Sequence, residues 1–362
     1  MAPRGSTSEH MFGYLIKCWT LHIAMGRAEE ETLEILRQNG DAYQSDIVRA
    51  TGFSRATVSE ALSSLEERKM VVKLKEGRNS KIVYVAGRLR ARSRLRLGFT
   101  RAAEYPFLVP LKKTLRQEGL ELDFRVYDNG VSVARDLSML RIDIGIAPLI
   151  TLFMMHSLDG PFKIIGPAGS GGSSVLESPK ATSARRKGVS AVCTKMSTME
   201  MLMRSAESQH AIPHVDSLTY AGSASEIERA LMSGSADMCS VWEPYATMLE
   251  SRGARRVLRY SELSEHVCCA AAAGNHLGDR LLSKLSRSYS TSMGAFRRDR
   301  DSCTAAYAAL SGLDSSTVRR VESEYSYTAE LSSDSVIAQL RGAGLSLPSP
   351  TSIRDALFHD SA

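Results

Sequence analysis

The chain has 362 residues, of which 43% are hydrophobic and 24% are charged, and its net charge is +6. The length is sufficient for two or three globular domains, and no run of 18 uncharged apolar residues occurs, which excludes a transmembrane helix. Residues 1–101 hold 18 basic and 11 acidic side chains, a net +7, whereas the remaining 261 residues hold 28 and 29, a net −1. A basic N-terminal segment on a neutral body favours a partner with a phosphate backbone.

The first 27 residues are predicted to contain an amphipathic helix. Residues 11–24 are apolar enough to suggest the core of a signal peptide, but Lys17 and His22 interrupt them and no clear cleavage site follows. We therefore expect a helix whose apolar face packs in a core, with contact to a dimer partner as the alternative. The protein is accordingly expected in the cytoplasm.

The six cysteines support a reducing compartment. They show no C-x-x-C pair and no Cys/His cluster with zinc spacing; they are Cys18, Cys193, Cys239, Cys268, Cys269 and Cys303. Cys268 and Cys269 are adjacent and lie in an apolar run. Buried free thiols are therefore expected, with no metal site and no cofactor.

Residues 28–68 predict three successive helices. The first covers residues 28–38, and the second covers residues 44–50 and is broken by Gly52, which permits a sharp turn. Ser54 is a suitable N-cap for the third helix. The apolar side chains of that third helix fall on one face at helical spacing, and they are Val58, Leu62 and Leu65.

A hairpin follows these helices. Residues 71–75 and 81–85 alternate like strands on either side of a polar tip at residues 76–80. Helix, turn, helix and hairpin make an α+β winged helix-turn-helix, predicted over residues 28–87. The stretch resembles the MarR-like winged-helix DNA-binding domains of bacterial and archaeal regulators. The alternative is a helix-turn-helix that contacts only protein.

The resemblance implies a double-stranded DNA operator as partner and a homodimer that contacts paired half-sites. The candidate DNA-binding residues lie on the third helix and at the tip of the hairpin, and they are Ser54, Arg55, Thr57, Ser59, Arg78, Asn79 and Lys81. Arg55, Thr57 and Ser59 are expected at base edges. Arg78 and Lys81 are expected at phosphate or in the minor groove.

Residues 88–94 form a basic linker in which arginines alternate with apolar residues. Two interpretations stay open: an inter-domain linker with a solvated basic face, or a strand whose arginines touch the DNA backbone.

From residue 95 onward, strands alternate with helices, which predicts a parallel sheet with crossover helices. Residues 166–176 are rich in glycine and serine and follow a strand, so they are expected to form a loop that brings backbone N–H groups close to a ligand. No P-loop motif is present. A second α/β unit starts at Val189, and its strand over residues 236–242 is followed directly by Glu243-Pro244-Tyr245.

Four segments together resemble the type II periplasmic-binding-protein module. They are RLGFTRAAEYP, ARDLSMLRIDIGIAP, FKIIGPAGSGGSSVL and SEIERALMSGSADMCSVWEPYATML. Within that group they are most similar to the nitrate/sulfonate/taurine and thiamine-pyrimidine solute-binding family. The resemblance implies an α/β two-lobed domain over residues 95–362 that closes on a small ligand. Lobe one would cover about residues 95–176 plus the C-terminal helices, and lobe two about residues 189–267.

The ligand is expected at the ends of strands, between the lobes. The candidate ligand-binding residues at family-like positions are Arg101, Glu104, Tyr105, Ser170, Ser173, Ser174, Trp242, Glu243 and Tyr245. Trp242 is expected to stack on a flat or apolar ligand, with core packing as the alternative. Glu243 is expected to accept hydrogen bonds from an amino-bearing ligand. The resemblance implies a small polar effector, such as an aminopyrimidine or a sulfonate.

Three functions fit these expectations to different degrees. A one-component transcriptional regulator uses both ends of the chain. An enzyme of pyrimidine or cofactor synthesis is the alternative, because some relatives of this kind use a cysteine-rich metal motif that residues 266–274 faintly echo. No nucleophile–base pair or paired carboxylates occur at sensible spacing, so no catalytic residue and no enzyme activity is expected. A solute-binding protein for transport is disfavoured by residues 28–87 and by the missing signal.

Overall fold

The structure is a computed structural model that divides into an N-terminal unit, residues 1–92, and an α/β unit, residues 93–362. It describes residues 25–39, 41–68, 70–76, 80–85, 94–181, 188–263, 267–327, 331–334, 336–337 and 350–358. The predicted helix of residues 11–24, most of the linker of residues 88–94, and Arg78 and Asn79 therefore lie outside the described residues. Within the described ranges, every helix is too short or too polar to cross a membrane.

The N-terminal unit contains helices packed on a small antiparallel sheet. Its elements are α1 (Arg27–Asn39), β1 (Asp41–Tyr43), α2 (Gln44–Thr51), α3 (Arg55–Glu67), β2 (Val71–Glu76) and β3 (Ser80–Val85). The strand order is β1-β3-β2, with antiparallel pairing throughout. The three helices and the hairpin follow the predicted order, whereas the three-residue strand β1 was not predicted.

Local chemistry sets the turn between α2 and α3. Gly52 ends α2 with a φ of 71°, a left-handed conformation that costs glycine little. Ser54 begins α3, because its Oγ accepts a hydrogen bond from the Thr57 N–H at 3.1 Å. The buried side chains of the three helices form the core of the unit; they include Leu33, Leu36, Ile47, Val58, Leu62 and Leu65.

Lobe one of the α/β unit is a mixed sheet covered by helices. Its first elements are β4 (Arg94–Thr100), α4 (Leu108–Gln117), β5 (Glu121–Tyr127), α5 (Gly130–Ser138), β6 (Ile144–Pro148), α6 (Leu149–His156) and β7 (Phe162–Pro167). The strand order is β5-β4-β6-β14-β7, where β14 (Cys269–Gly274) enters from the far end of the chain. Strands β4, β5 and β6 are parallel, and β14 runs antiparallel to both of its neighbours.

Lobe two is a second mixed sheet. Its elements are β9 (Ser173–Glu177), β10 (Val189–Thr194), α7 (Thr198–Ser208), β11 (Val215–Ala221), α8 (Ala224–Ser233), β12 (Met238–Trp242), α9 (Tyr245–Glu250), β13 (Arg255–Arg259) and α10 (Tyr260–Leu263). The strand order is β11-β10-β12-β9-β13, with β9 antiparallel to β12 and β13. A purely parallel sheet is therefore wrong for both lobes, since one strand in each lobe runs against its neighbours.

The chain crosses between the lobes twice, once after β7 and once before β14. The glycine- and serine-rich stretch is not one loop: it contains β8 (Ser170–Gly171) and then β9. Because β9 pairs with β12, lobe one ends before residue 173 rather than near residue 176. Local sequence patterns did not reveal this pairing, because they do not specify which sheet a strand joins.

The C-terminal helices return to lobe one. They are α11 (Asp279–Arg298), α12 (Arg300–Ser311) and α13 (Ser315–Arg320), followed by β15 (Tyr325–Ser326) and α14 (Pro350–Ala356). Buried tyrosines attach them: Tyr289 OH donates to the Pro167 carbonyl at 2.9 Å, and Tyr307 OH donates to the Ala102 carbonyl at 2.6 Å. Strand β15 pairs with β8 at the first crossover.

Candidate functional site

The segments that carry the predicted ligand residues meet where the two lobes join. One segment follows β4, one surrounds β8 and β9, and one follows β12. The Ala103 N–H donates to the Glu243 carbonyl at 3.0 Å, and the Glu243 N–H donates to the Gly172 carbonyl at 2.7 Å. These two bonds bring all three predicted segments into one place, which is here called the lobe junction.

Trp242 links the two lobes at this junction. Its indole N–H donates to the Arg101 carbonyl at 2.9 Å, and its ring lies edge-on to Tyr245 with centroids 5.7 Å apart. The side chain is buried, whereas Arg101 is exposed and Tyr245 is half-buried. The structure therefore places Trp242 in the core with a contact between the lobes, as the core-packing alternative predicts, and stacking on a ligand stays a prediction.

Glu243 is fully buried and is occupied by protein partners. Its Oε1 lies 2.8 Å from Arg256 Nη2, and its Oε2 accepts the Thr247 N–H at 3.0 Å. Arg256 also donates to Ser174 Oγ at 2.8 Å and to Glu250 Oε2 at 2.6 Å. Burial opposes the charge of Arg256, but the hydrogen bonds to Glu250 and Glu243 raise its pKa above the usual value. Glu243 and Ser174 thus serve an internal ion-pair network, which accounts for both residues without a ligand.

Glu104 has a different environment from Glu243. Its side chain is 3% exposed and packs against Gly169, and its Oε1 accepts no well-formed hydrogen bond from any described residue. Burial raises the pKa of Glu104 well above its usual range, and the neighbouring Cys268 adds to the shift. A buried carboxyl with an unsatisfied oxygen is costly and calls for an explanation.

Two cysteines that the sequence analysis assigned to an apolar strand lie beside Glu104. The Tyr105 hydroxyl donates to Cys269 Sγ at 3.3 Å, and the Sγ atoms of Cys269 and Cys268 are 3.7 Å apart. Burial, followed by the contact with Cys268, raises the pKa of the Cys269 thiol well above its usual range. All five described cysteines are free and buried, as predicted. The sequence offered one signal for this site that the prediction did not use: Cys268 and Cys269 are adjacent and lie where the chain crosses between the lobes for the second time.

Ser170 and Ser173 complete the lobe junction. Both side chains are buried, and their Oγ atoms lack a well-formed hydrogen bond within the described part of the chain. Ser173 lies beside the Cys268 thiol. Three predicted ligand residues, Glu104, Ser170 and Ser173, therefore hold buried polar atoms with unused hydrogen-bonding capacity.

A cavity of about 120 Å³ lies elsewhere in lobe one. It is lined by β7 and the C-terminal helices, including Ile165, Tyr289, Met293 and Phe358. It shares no residue with the predicted ligand set, and none of its lining residues is among the described residues that hold a buried polar side-chain atom without a hydrogen-bond partner. The polar groups at the lobe junction are the better candidate site.

The candidate DNA-binding residues of the N-terminal unit have two kinds of environment. Ser54 and Thr57 bond each other through their hydroxyls at 2.8 Å, in addition to the N-cap bond. Helix capping thus accounts for both of them. Arg55 and Ser59 are exposed on α3. Lys81 lies on β3, where the structure describes the backbone only.

Comparison of the N-terminal unit with protein families gives one match. A model described as "Domain of unknown function (DUF7343)" matches residues 26–85. No curated protein matches the sequence of the chain.

Comparison with solved structures matches the α/β unit. A ligand-binding component of an ABC-type import system from Staphylococcus aureus, with zinc bound, has a TM-score of 0.61 at 16% identity, covering 75% of this chain and 100% of that one. The alkanesulfonate-binding protein SsuA from Xanthomonas axonopodis pv. citri, bound to MOPS, has a TM-score of 0.59 at 19% identity, covering 74% and 98%. The α/β unit therefore has a two-lobed periplasmic-binding-protein-like fold.

The periplasmic nitrate-binding protein NrtA from Synechocystis PCC 6803 is a more distant neighbour. Its TM-score is 0.54 at 12% identity, and the match covers 66% of this chain and 72% of that chain. At such identities the likeness concerns the fold alone. The predicted two-lobed, mixed α/β architecture is thereby confirmed.

Proposed function

We propose that this protein is a one-component transcriptional regulator. In this proposal, a MarR-like winged helix in the N-terminal unit binds double-stranded operator DNA, and the α/β unit binds a small polar effector at the lobe junction. The observation that supports the proposal is the presence, in one chain, of a unit of three helices and a hairpin and of a two-lobed periplasmic-binding-protein-like fold. The protein acts in the cytoplasm as a homodimer, without enzymatic activity.

The arrangement of α3 supports DNA binding. Its apolar side chains face the core, and its opposite face exposes Arg55, Ala56, Ser59, Glu60 and Ser63. Most of these side chains are short, so the helix backbone can approach base edges closely. The net +7 of residues 1–101 supplies the attraction to phosphate.

The lobe junction supports effector sensing. Buried polar atoms of Glu104, Ser170 and Ser173 have unused hydrogen-bonding capacity among the described residues. A small ligand that satisfies them can change the relative stability of the open and closed lobes, because it binds the two arrangements with different affinity. That difference is the free energy available to alter DNA binding.

Replacement of Arg55 by alanine is expected to weaken binding to a preferred DNA sequence by about 5- to 150-fold. This corresponds to about 1–3 kcal/mol for a lost base contact. The preferred sequence is first selected from a random duplex pool with the full-length protein. Affinities for the selected and a random duplex are then measured by fluorescence anisotropy at one salt concentration. The variant should lose less affinity for the random duplex than for the selected duplex.

Arg116→Ala is the matched control, because Arg116 is an exposed arginine on α4 of the other unit. This variant should bind both duplexes like the parent. Equal weakening of the selected and random duplexes by Arg55→Ala would remove Arg55 from base recognition. If the full-length protein bound no duplex even at low salt, the proposal that it is a DNA-binding regulator would be wrong.

A solute-binding protein of an import system is the second candidate. It is favoured by the functions of the proteins with similar structures, which include a ligand-binding component of an import system and an alkanesulfonate-binding protein. The DNA experiment separates the two candidates, since this second function requires no affinity for duplex DNA.

A further inference from the structure

Three buried side chains at the lobe junction have the chemistry of metal ligands. Glu104, Cys268 and Cys269 each place one donor atom so that the three atoms lie within 4.8 Å of one another. Glu104 lies in the segment after β4, and the two cysteines lie where the chain returns to lobe one and begins β14. Cys269 is 164 residues later in the chain than Tyr105, the residue next to Glu104. Long-range chain topology, rather than a local motif, assembles this cluster.

The distances suit a tetrahedral ion. The two Sγ atoms are 3.7 Å apart. In a tetrahedral zinc site with metal–sulfur bonds of about 2.3 Å, two thiolate sulfurs lie about 3.8 Å apart. The existing separation therefore needs almost no change for both sulfurs to coordinate one ion.

Glu104 gives an independent reason to expect a ligand. Its Oε1 is buried and, within the described ranges, accepts no well-formed hydrogen bond, although the Cys269 side chain is close by. The Tyr105 hydroxyl donates to Cys269 Sγ, and the contacts of Cys269, Tyr105 and the Gly169 backbone with the Glu104 carboxyl do not offset the rise in its pKa that burial causes. A cation held between the carboxylate and the sulfurs would satisfy it.

The surroundings can complete a four-coordinate site. Ser173 lies beside Cys268, and its buried Oγ lacks a well-formed hydrogen bond in the part of the chain that is described. Thr198 Oγ1 donates to the Cys268 carbonyl at 3.0 Å and holds this segment of backbone in place. The fourth ligand can be the Ser173 hydroxyl or a water.

We propose that Glu104, Cys268 and Cys269 bind one thiophilic divalent cation of the zinc class at the lobe junction. Two sulfurs and one carboxylate oxygen favour zinc over magnesium or calcium, which prefer oxygen ligands. On binding, both thiols and the Glu104 carboxyl lose their protons to solvent, and each sulfur and one carboxylate oxygen forms one bond to the ion. The site shares Glu104 and the surroundings of Ser173 with the proposed effector site, so a bound ion would form part of that effector site. It belongs to the α/β unit alone, so it stands independently of DNA binding.

The test uses the full-length protein, stripped with a chelator under a phosphine reductant and then dialysed against zinc. Elemental analysis should give one bound zinc per chain. The variants Cys268→Ser, Cys269→Ser and Glu104→Gln should each lower zinc affinity at least tenfold. The matched control is Cys239→Ser, since Cys239 is a fully buried free thiol in strand β12. This control should retain one zinc per chain.

Cobalt provides a readout that does not depend on any variant. The unmodified protein loaded with Co²⁺ should show the thiolate-to-cobalt charge-transfer absorption, and one equivalent of zinc should abolish it. Three results would each overturn the proposal: substoichiometric zinc in the parent protein, cobalt bound without the thiolate band, or equal zinc binding by the parent and a folded Cys268→Ser variant. DNA affinity is measured separately, so failure here leaves the regulator proposal intact.

Discussion

Arg256→Met is expected to lower the free energy of unfolding of the α/β unit by about 3–5 kcal/mol, because it leaves a buried carboxylate without its cationic partner. The Arg256 side chain is 6% exposed and Glu243 is 0% exposed. The same guanidinium also bonds Glu250 and Ser174. No solvent is available to replace these bonds at Glu243, so the cost should far exceed that of losing a surface ion pair.

The neighbouring Arg255 is a matched control for this loss. It lies on the same strand and pairs with Glu177, but its side chain is 68% exposed. Arg255→Met should therefore cost about 0–1 kcal/mol. Both variants can be measured by urea unfolding followed by Trp242 fluorescence, in a Trp19→Phe background that leaves one tryptophan. Similar costs for the two arginines would show that Arg256 is screened by water.

A double variant separates the ion pair from the packing. Arg256→Met combined with Glu243→Leu removes both charges and leaves apolar side chains. Because most of the cost of the single variant comes from the unpaired carboxylate, the double variant should recover part of the lost stability. A double variant less stable than Arg256→Met alone would contradict this origin of the effect.

Gly172→Ala, which adds one methyl group at the lobe junction, is expected to cause a large loss of stability. An added Cβ would lie 1.9 Å from Cε1 of the Tyr325 ring, and Gly172 has a φ of 61°. The ring cannot move freely, since the Tyr325 hydroxyl donates to the Glu243 carbonyl at 3.1 Å. We expect the free energy of unfolding to fall by at least about 3 kcal/mol, from steric overlap added to backbone strain.

Gly119→Ala isolates the backbone part of this cost. Gly119 has a φ of 78°, and a Cβ there would meet no described atom within 4 Å. It should therefore cost only the strain of a left-handed non-glycine residue, about 1–2 kcal/mol. The comparison is made by thermal and urea unfolding of both variants. If the two glycines prove equally sensitive, the crowding at Tyr325 does not contribute.

The order of helices and strands could be predicted because most of these elements show a local periodicity of apolar residues. The apolar spacing of Val58, Leu62 and Leu65 identified α3, and the cap at Ser54 placed its start. The strand β1 escaped prediction because three residues are too few to show alternation. The direction of β9 and β14 also escaped, since strand direction depends on the path of the whole chain.

The candidate site was predictable only in part, for a related reason. Resemblance to a family brought Glu104, Ser170 and Trp242 to attention, but it could not tell which polar groups were already satisfied. Glu243 was expected to bind a ligand, yet Arg256, thirteen residues later in the chain, occupies it. Cys268 and Cys269 were assigned to the core because their partner Glu104 is remote in sequence.

The hydrogen bonding at the lobe junction allows the opening of the lobes to be followed by amide hydrogen exchange at single residues. The Ala103 amide proton is bonded to the Glu243 carbonyl of the other lobe, so it becomes free to exchange with deuterium when the lobes separate. The Gly98 and Ile146 amides lie inside the lobe-one sheet and exchange only when the sheet itself opens. The ratio of these exchange rates measures how often the intact protein opens, without any knowledge of what it binds.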